Sequence, residues 1–258
     1  MTGSWSIKTS KTRSLLMWLH RSLPALFLVA ILAAAVCAQK QNKPWTEWSK
    51  KEAESILNDS PWGRTQIETD VSELFYSPTA QGGGGANARS RAEQGATNEQ
   101  IYVRYHIRFF SARPVRQAHV RIIEINDKHL DREMAERMHR FAELTAKDSI
   151  IVTVAYESND QRYSGKALQL FGSRNTGSLK NSTYLERNDG QRLFLEEYVP
   201  PGKDGFGARF IFRRHDDGVP FITPDAGEIR FFSEMSKDLK LNTKFKVADM
   251  IVDGKLEY

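Results

Sequence analysis

The chain has 258 residues, 37 Lys+Arg against 32 Asp+Glu and a formal charge of +5, but its first 38 residues hold four of the bases (Lys8, Lys11, Arg13, Arg21) and no acid. The remaining 33 bases and 32 acids nearly cancel, which argues against a nucleic-acid binder, since neutralising phosphates takes a surplus of Lys and Arg. The single cysteine, Cys37, also falls in the first 38 residues, so the rest has no disulfide, cysteine-ligated zinc or thiol nucleophile.

The opening residues read as a secretory leader. A basic stretch ending at His20-Arg21 precedes the apolar run Leu23–Val36, and Val36 and Ala38 have the spacing a signal peptidase reads, with Gln39 next. The run is short for a membrane span, which needs about 20 apolar residues. A retained anchor is the alternative, and Met17 is as good a start as Met1. A lipoprotein reading through Cys37 is weakened by the bulky Val36 before it. The expectation is a signal peptide over 1–38 and a single domain over 39–258. That domain is periplasmic or secreted from a bacterium, and it is held together by core burial alone.

Ser49 to Glu52 then spells a capping box, in which a serine and the glutamate three residues on satisfy each other's orphan amides. Ala53, Ile56 and Leu57 give the helix an apolar stripe, and Ser60-Pro61 ends it. Trp45, Trp48 and Trp62 flank this helix. Arg64–Tyr76 reads as a strand. Residues 77–98, with four consecutive glycines, have too little to bury to offset their ordering entropy and read as a flexible insertion between two strands. Ile101–Phe110 alternates as a half-buried strand. Ser111 and Pro114 suggest a helix start, with Val115, Ala118, Ile122 and Ile125 at helical spacing and a strand over Val120–Ile125 as the alternative. His129–Thr145 is a further helix. Beyond it, strands are expected at Ile150–Tyr156, Ala167–Phe171, Leu193–Val199, Ala208–Arg213, Ile229–Phe232 and Phe245–Val252, separated by turn-rich segments. The sum predicts an α+β fold with helices packed on one face of a mainly antiparallel sheet.

Lys43–Ser49 with Ser60-Pro61-Trp62, and the ending Lys246–Tyr258 (KVADMIVDGKLEY), resemble the corresponding stretches of a group of exported, functionally uncharacterised bacterial proteins. The resemblance implies export and one domain. It implies no chemistry, because no functional residues are assigned to that group.

Candidate sites are few. Arg104, His106 and Arg108 share one face of the Ile101–Phe110 strand, and Arg113, Arg116, His119 and Arg121 follow without an acid between 104 and 121. Such forks suit phosphate, carboxylate or acidic sugar groups. The competing reading, favoured by the balanced charge, is that Glu68, Asp70 and Glu73 of the preceding strand pair with them. Trp45, Trp48 and Trp62 suggest an aromatic platform for a glycan or peptide, against the plainer role of stapling a helix onto the sheet. His129, Glu133, Glu136, His139 and Glu143 have metal-ligand spacing, yet they interleave with Arg132, Arg137 and Arg140 as a solvated ion-pair face. No catalytic residue, metal or cofactor is assigned. The expectation is a non-enzymatic binding or structural module whose partner is an envelope protein, a glycan or an acidic small molecule. No nucleic acid is expected, and membrane contact only through an uncleaved signal segment. The alternative is an envelope hydrolase with His106 as general base.

Overall fold

The structure is a computed structural model that describes residues 43–70, 101–127 and 129–258. The expected signal segment 1–38, the glycine-rich insertion 77–98 and residues 71–76 of the first expected strand lie outside the described residues. The chain divides into two units, Met1–Glu47 and Trp48–Tyr258. In the first, Trp45–Glu47 form one 3-10 turn, closed by the Glu47 amide donating to Pro44 O at 2.9 Å.

The second unit opens with α1 (Lys50–Asn58), which the capping box starts as expected: Glu52 N donates to Ser49 Oγ at 3.3 Å and Ser49 N to Glu52 Oε2 at 2.7 Å. Ala53 and Leu57 are its buried stripe. After Ser60-Pro61 the chain reverses tightly into β1 (Gly63–Asp70). Only glycine fits at 63, since an added Cβ would meet Leu57 O at 2.2 Å. The strand β1 pairs antiparallel with β2 (Ile101–Phe109), with Asp70 opposite Ile101, so the undescribed stretch between them joins two neighbouring strands.

Two helices come next. In α2 (Arg113–Asn126) Ala112 takes the capping position expected of Ser111, because Ser111 Oγ accepts the amide of Ile151 at 3.0 Å instead. Val115, Ala118 and Val120 are buried there, so the helical reading of Val120–Ile125 holds and the strand alternative does not. The helix α3 (Arg132–Glu143) begins later than expected, capped by Asp131. After it come β3 (Ser149–Ser158), α4 (Gln161–Gly172), α5 (Thr176–Leu179), β4 (Thr183–Arg187), β5 (Arg192–Phe194), β6 (Glu197–Val199) and β7 (Ala208–Arg213). A small hairpin of β8 (His215–Asp216) and β9 (Val219–Pro220) precedes β10 (Glu228–Glu234) and β11 (Lys240–Lys246), and β12 (Ile251–Val252) with β13 (Lys255–Leu256) ends the described chain.

The α+β architecture is present, with the strands in two main antiparallel sheets: β1-β2-β3-β7-β6 and β11-β10-β4-β5. The helix α1 packs on β1 and β2 of the five-stranded sheet, α2 packs on α1, and α3 on α2. The other face, carrying Phe109, Phe210 and Phe212, meets the inner face of the four-stranded sheet: Phe109 stands edge-on to Phe245, as Phe210 does to Phe231, at 4.8 and 5.2 Å. Phe171 of α4 plugs one end of this core, stacked on Tyr105 and Tyr156.

Three expected strands are revised. Ala167–Phe171 is helical: Asp160 caps α4, and Ala167 and Phe171, four residues apart, form its buried stripe. A short apolar run is ambiguous in period. Leu193–Val199 is broken at 195–196, where the chain leaves the four-stranded sheet for the five-stranded one. Phe245–Val252 spans the end of β11, a 3-10 turn at Val247–Asp249 and β12.

Candidate functional site

The register of β2 decides what its polar face can do. Even positions of β2 face the helices, and burial deepens along the strand because the end of α1 covers its second half. Arg108 is buried: its Nε donates to Leu57 O at 3.0 Å and its Nη2 to Asn58 Oδ1 at 2.7 Å. It thus satisfies the last turn of α1. Burial, opposed by Glu157, lowers the guanidinium to about 10, still charged at neutral pH. His106 lies one step up the face, 9% exposed. Its Nδ1 meets Thr65 Oγ1 at 3.0 Å, and Thr65 Oγ1 donates to Asn58 O at 3.2 Å. The single hydroxyl hydrogen being used there, the hydrogen of the neutral imidazole is assigned to Nδ1. Its Nε2 stands 3.6 Å from Glu157 Oε1. Burial first, then the charge of Arg108, keeps His106 below its ordinary value despite Glu157. At the open end of the strand Arg104 lies over the Tyr102 ring at 4.1 Å and binds Glu157 Oε1 at 3.2 Å.

The arginine face is therefore answered by an acid, but by Glu157 on the following strand. Glu68 falls opposite Val103, on the other face, and bonds Gln66 instead. The side chain of Asp70 and all of Glu73 lie outside the described residues.

The tryptophans divide as well. Trp62 is buried and its Nε1 donates to Glu257 O at 2.7 Å, joining the two stretches that carried the sequence resemblance. Trp48 is half-buried against the core, and its carbonyl accepts from Arg121 Nε at 2.7 Å. Trp45 belongs to the other unit. Along α3, Arg132–Glu136 and Arg137–Glu133 pairs at 3.0 Å form the expected ion-pair face, and His139 reaches across to Glu124 of α2.

A second face carries more exposed chemistry, on residues that sequence reasoning passed over. The inner side of the four-stranded sheet is core. Its outer side is arranged in rows across the strands. One row sets Phe194, Tyr184, Phe232 and Asn242 side by side, and the next sets Arg192, Glu186, Arg230 and Lys244. Tyr184 stacks on Phe232 with ring centres 5.1 Å apart and meets Phe194 edge-on at 5.8 Å. Phe194 is 47% exposed. Arg192 covers Tyr184 at 4.4 Å, and Arg230 lies near both Tyr184 and Phe232. Glu186 is shared: Arg192 Nε donates to Oε2 at 2.5 Å, and Arg230 Nη2 approaches Oε1 at 3.0 Å. Burial would raise Glu186, but the Arg192 bond and the Arg230 charge outweigh it and hold the carboxyl below its ordinary value. Where the charged row ends, a cleft of about 150 Å³ opens between Glu186, Arg187, Asn188, Glu228, Arg230 and Lys244. The buried Nε atoms of Arg187 and Arg230 have no acceptor among the described residues.

The signal for this face was available as alternation in Thr183–Arg187, Glu228–Glu234 and Lys240–Lys246. Alternation does not contain which strands become neighbours. Comparison with protein-family models, with curated proteins and with solved structures finds no match to the chain.

Proposed function

We propose that the chain is exported, with its leader removed after Ala38, and acts outside the cytosol as a non-enzymatic binding module that holds an envelope component on the outer face of its four-stranded sheet. The observation that carries this reading is the pair of rows on that face, an exposed aromatic beside two guanidinium groups that share one carboxylate. Aromatic and arginine side chains dominate binding energy where they are pre-placed on a rigid element. The three-part leader and the resemblance of the two terminal stretches to exported bacterial proteins support the location. The test joins two measurements. Mass spectrometry of the protein made in a bacterium should show a chain beginning at Gln39. That protein should sediment with isolated envelope material, and the double variant Phe194→Ala, Arg192→Gln should not. An unprocessed cytosolic chain, or sedimentation unaffected by the double variant, overturns the reading.

A second reading, a hydrolase with His106 as general base, has one observation in its favour: the assigned tautomer leaves Nε2 with a free lone pair. Against it, the ring is buried, and the nearest carboxylate is held by Arg104. Ester and glycoside hydrolysis that vanishes in His106→Asn would establish it.

A further inference from the structure

We propose that the ligand of the outer face is an anionic glycan, a chain of sugar rings bearing carboxylates, laid across the strands with its rings on the aromatic row and its acid groups on the charged row. This inference rests on the reading of that face as the binding surface. With strands about 4.8 Å apart and about 3.4 Å per residue, the charged row runs about 14 Å from Arg192 to Lys244, and the two rows lie about 7 Å apart. That is the layout of a chain whose units each offer a flat C–H face and, at the rim, an acid group. Phe194 and Phe232 supply flat apolar surfaces, two strands apart. Arg192 and Arg230 supply planar forks that match carboxylates.

Charge complementarity sets the sign of the ligand. The outer positions of the four strands carry five bases, Arg192, Arg230, Lys240, Lys244 and Lys246, and three acids, Glu186, Glu228 and Glu234. Lys240 pairs with Glu234 and Lys244 with Glu228, so the surplus of two falls at Glu186, where two guanidinium groups meet one carboxylate, and at Lys246. Arg187, Arg230 and Lys244 place three cationic side chains around the cleft at the end of the row. At about 150 Å³ the cleft is smaller than the roughly 300–1,000 Å³ of pockets that enclose a whole ligand. It suits one acid-bearing ring of a longer chain. Charge density separates a glycan from a nucleic acid. Glu186 sits within the charged row and Glu228 lies beside it, paired with Lys244 at 3.2 Å, where closely spaced phosphates would meet them, and residues 39–258 lack the basic surplus that phosphate binding draws on. Carboxylates spaced ring by ring fit between those acids.

The experiment is isothermal titration of the purified protein with three probes: a hexamer of galacturonic acid, a hexamer of galactose and a twelve-nucleotide oligothymidylate. The uronate hexamer is expected to bind at least about tenfold more tightly than the neutral one, one well-made charge-assisted contact being worth that factor. Arg192→Gln and Phe194→Ala should each weaken uronate binding by a similar factor while keeping the wild-type melting midpoint. Equal affinity for the two hexamers overturns the assignment of the charged row, and tighter oligothymidylate binding overturns it in favour of nucleic acid. If neither hexamer binds while the Phe194→Ala, Arg192→Gln variant still loses envelope sedimentation, the glycan inference fails and the binding-face reading survives. If sedimentation is also unchanged, both fail.

Discussion

His119, partly buried as a residue, shows how enclosing a ring between aromatic side chains suppresses its titration. Its ring packs edge-on against Phe110 at 5.5 Å and Phe206 at 5.4 Å, and its buried Nε2 has no partner among the described residues. Burial, with the charge of Arg108 added, lowers it to about 3. The native state therefore refuses a proton that the unfolded chain accepts below about pH 6.5. Stability is full above that pH and declines as pH falls towards about 3, by roughly 2 kcal/mol at pH 5 from this group, with His106 shifted in the same direction. Urea midpoints at pH 7.5 and 5.0 should reveal the decline, and His119→Phe should be as stable as wild type at pH 7.5 and lose most of the acid-side drop. An equal drop in the variant would show that other groups cause it. Arg108 makes the complementary point. Arg108→Met strands the Leu57 carbonyl and should lower stability by about 2–3 kcal/mol, with Arg108→Lys recovering little because an ammonium cannot fork. Equilibrium denaturation measures both.

At the scale of elements, the corner between the two sheets depends on one side chain. The carboxamide of Gln66 on β1 donates to Lys240 O at 2.8 Å and accepts from Asn242 N at 2.9 Å on β11, which is how a backbone neighbour would pair. It thereby covers an edge that would otherwise present open donors and acceptors. Gln66→Ala should speed hydrogen exchange at the Asn242 amide by about tenfold or more while costing only about 1 kcal/mol overall, since the site is exposed. Unchanged exchange would mean that the edge is protected by something other than Gln66. Elements also set the limits of sequence reading. The capping box at Ser49, the alternation of Ile101–Phe110 and the helical stripe from Val115 were legible because each signal is local. Ala167–Phe171 was misread because five apolar-rich residues fit either period, and Asp160, which starts the helix, lies outside that window.

For the whole molecule, the stretch at Trp62 and the stretch at Glu257 are 195 residues apart and hydrogen-bonded. Arg113 Nε adds an ion pair to Glu257 at 3.3 Å, and Arg214 donates to Tyr258 O at 2.8 Å while lying 3.8 Å over its ring. Trp62→Phe keeps the ring in the core and removes the bond, so it should cost about 1–2 kcal/mol and hasten carboxypeptidase removal of Leu256–Tyr258. Wild-type resistance in that variant would place the anchor on the two arginines alone. The sequence by itself determined the near-neutral charge of residues 39–258, the α+β class and several element starts, since composition, capping and periodicity act over a few residues. It also marked Arg104, His106 and Arg108 as one face. Only the tertiary structure decided that α1 buries Arg108, that Glu157 of β3 answers Arg104 of β2, and that strands from 183 to 246 align Phe194, Tyr184 and Phe232 in one row beside Arg192, Glu186 and Arg230. Pairing between strands is a long-range choice, made when the inner faces of both sheets bury their phenylalanines against each other. The outer rows are the consequence of that burial.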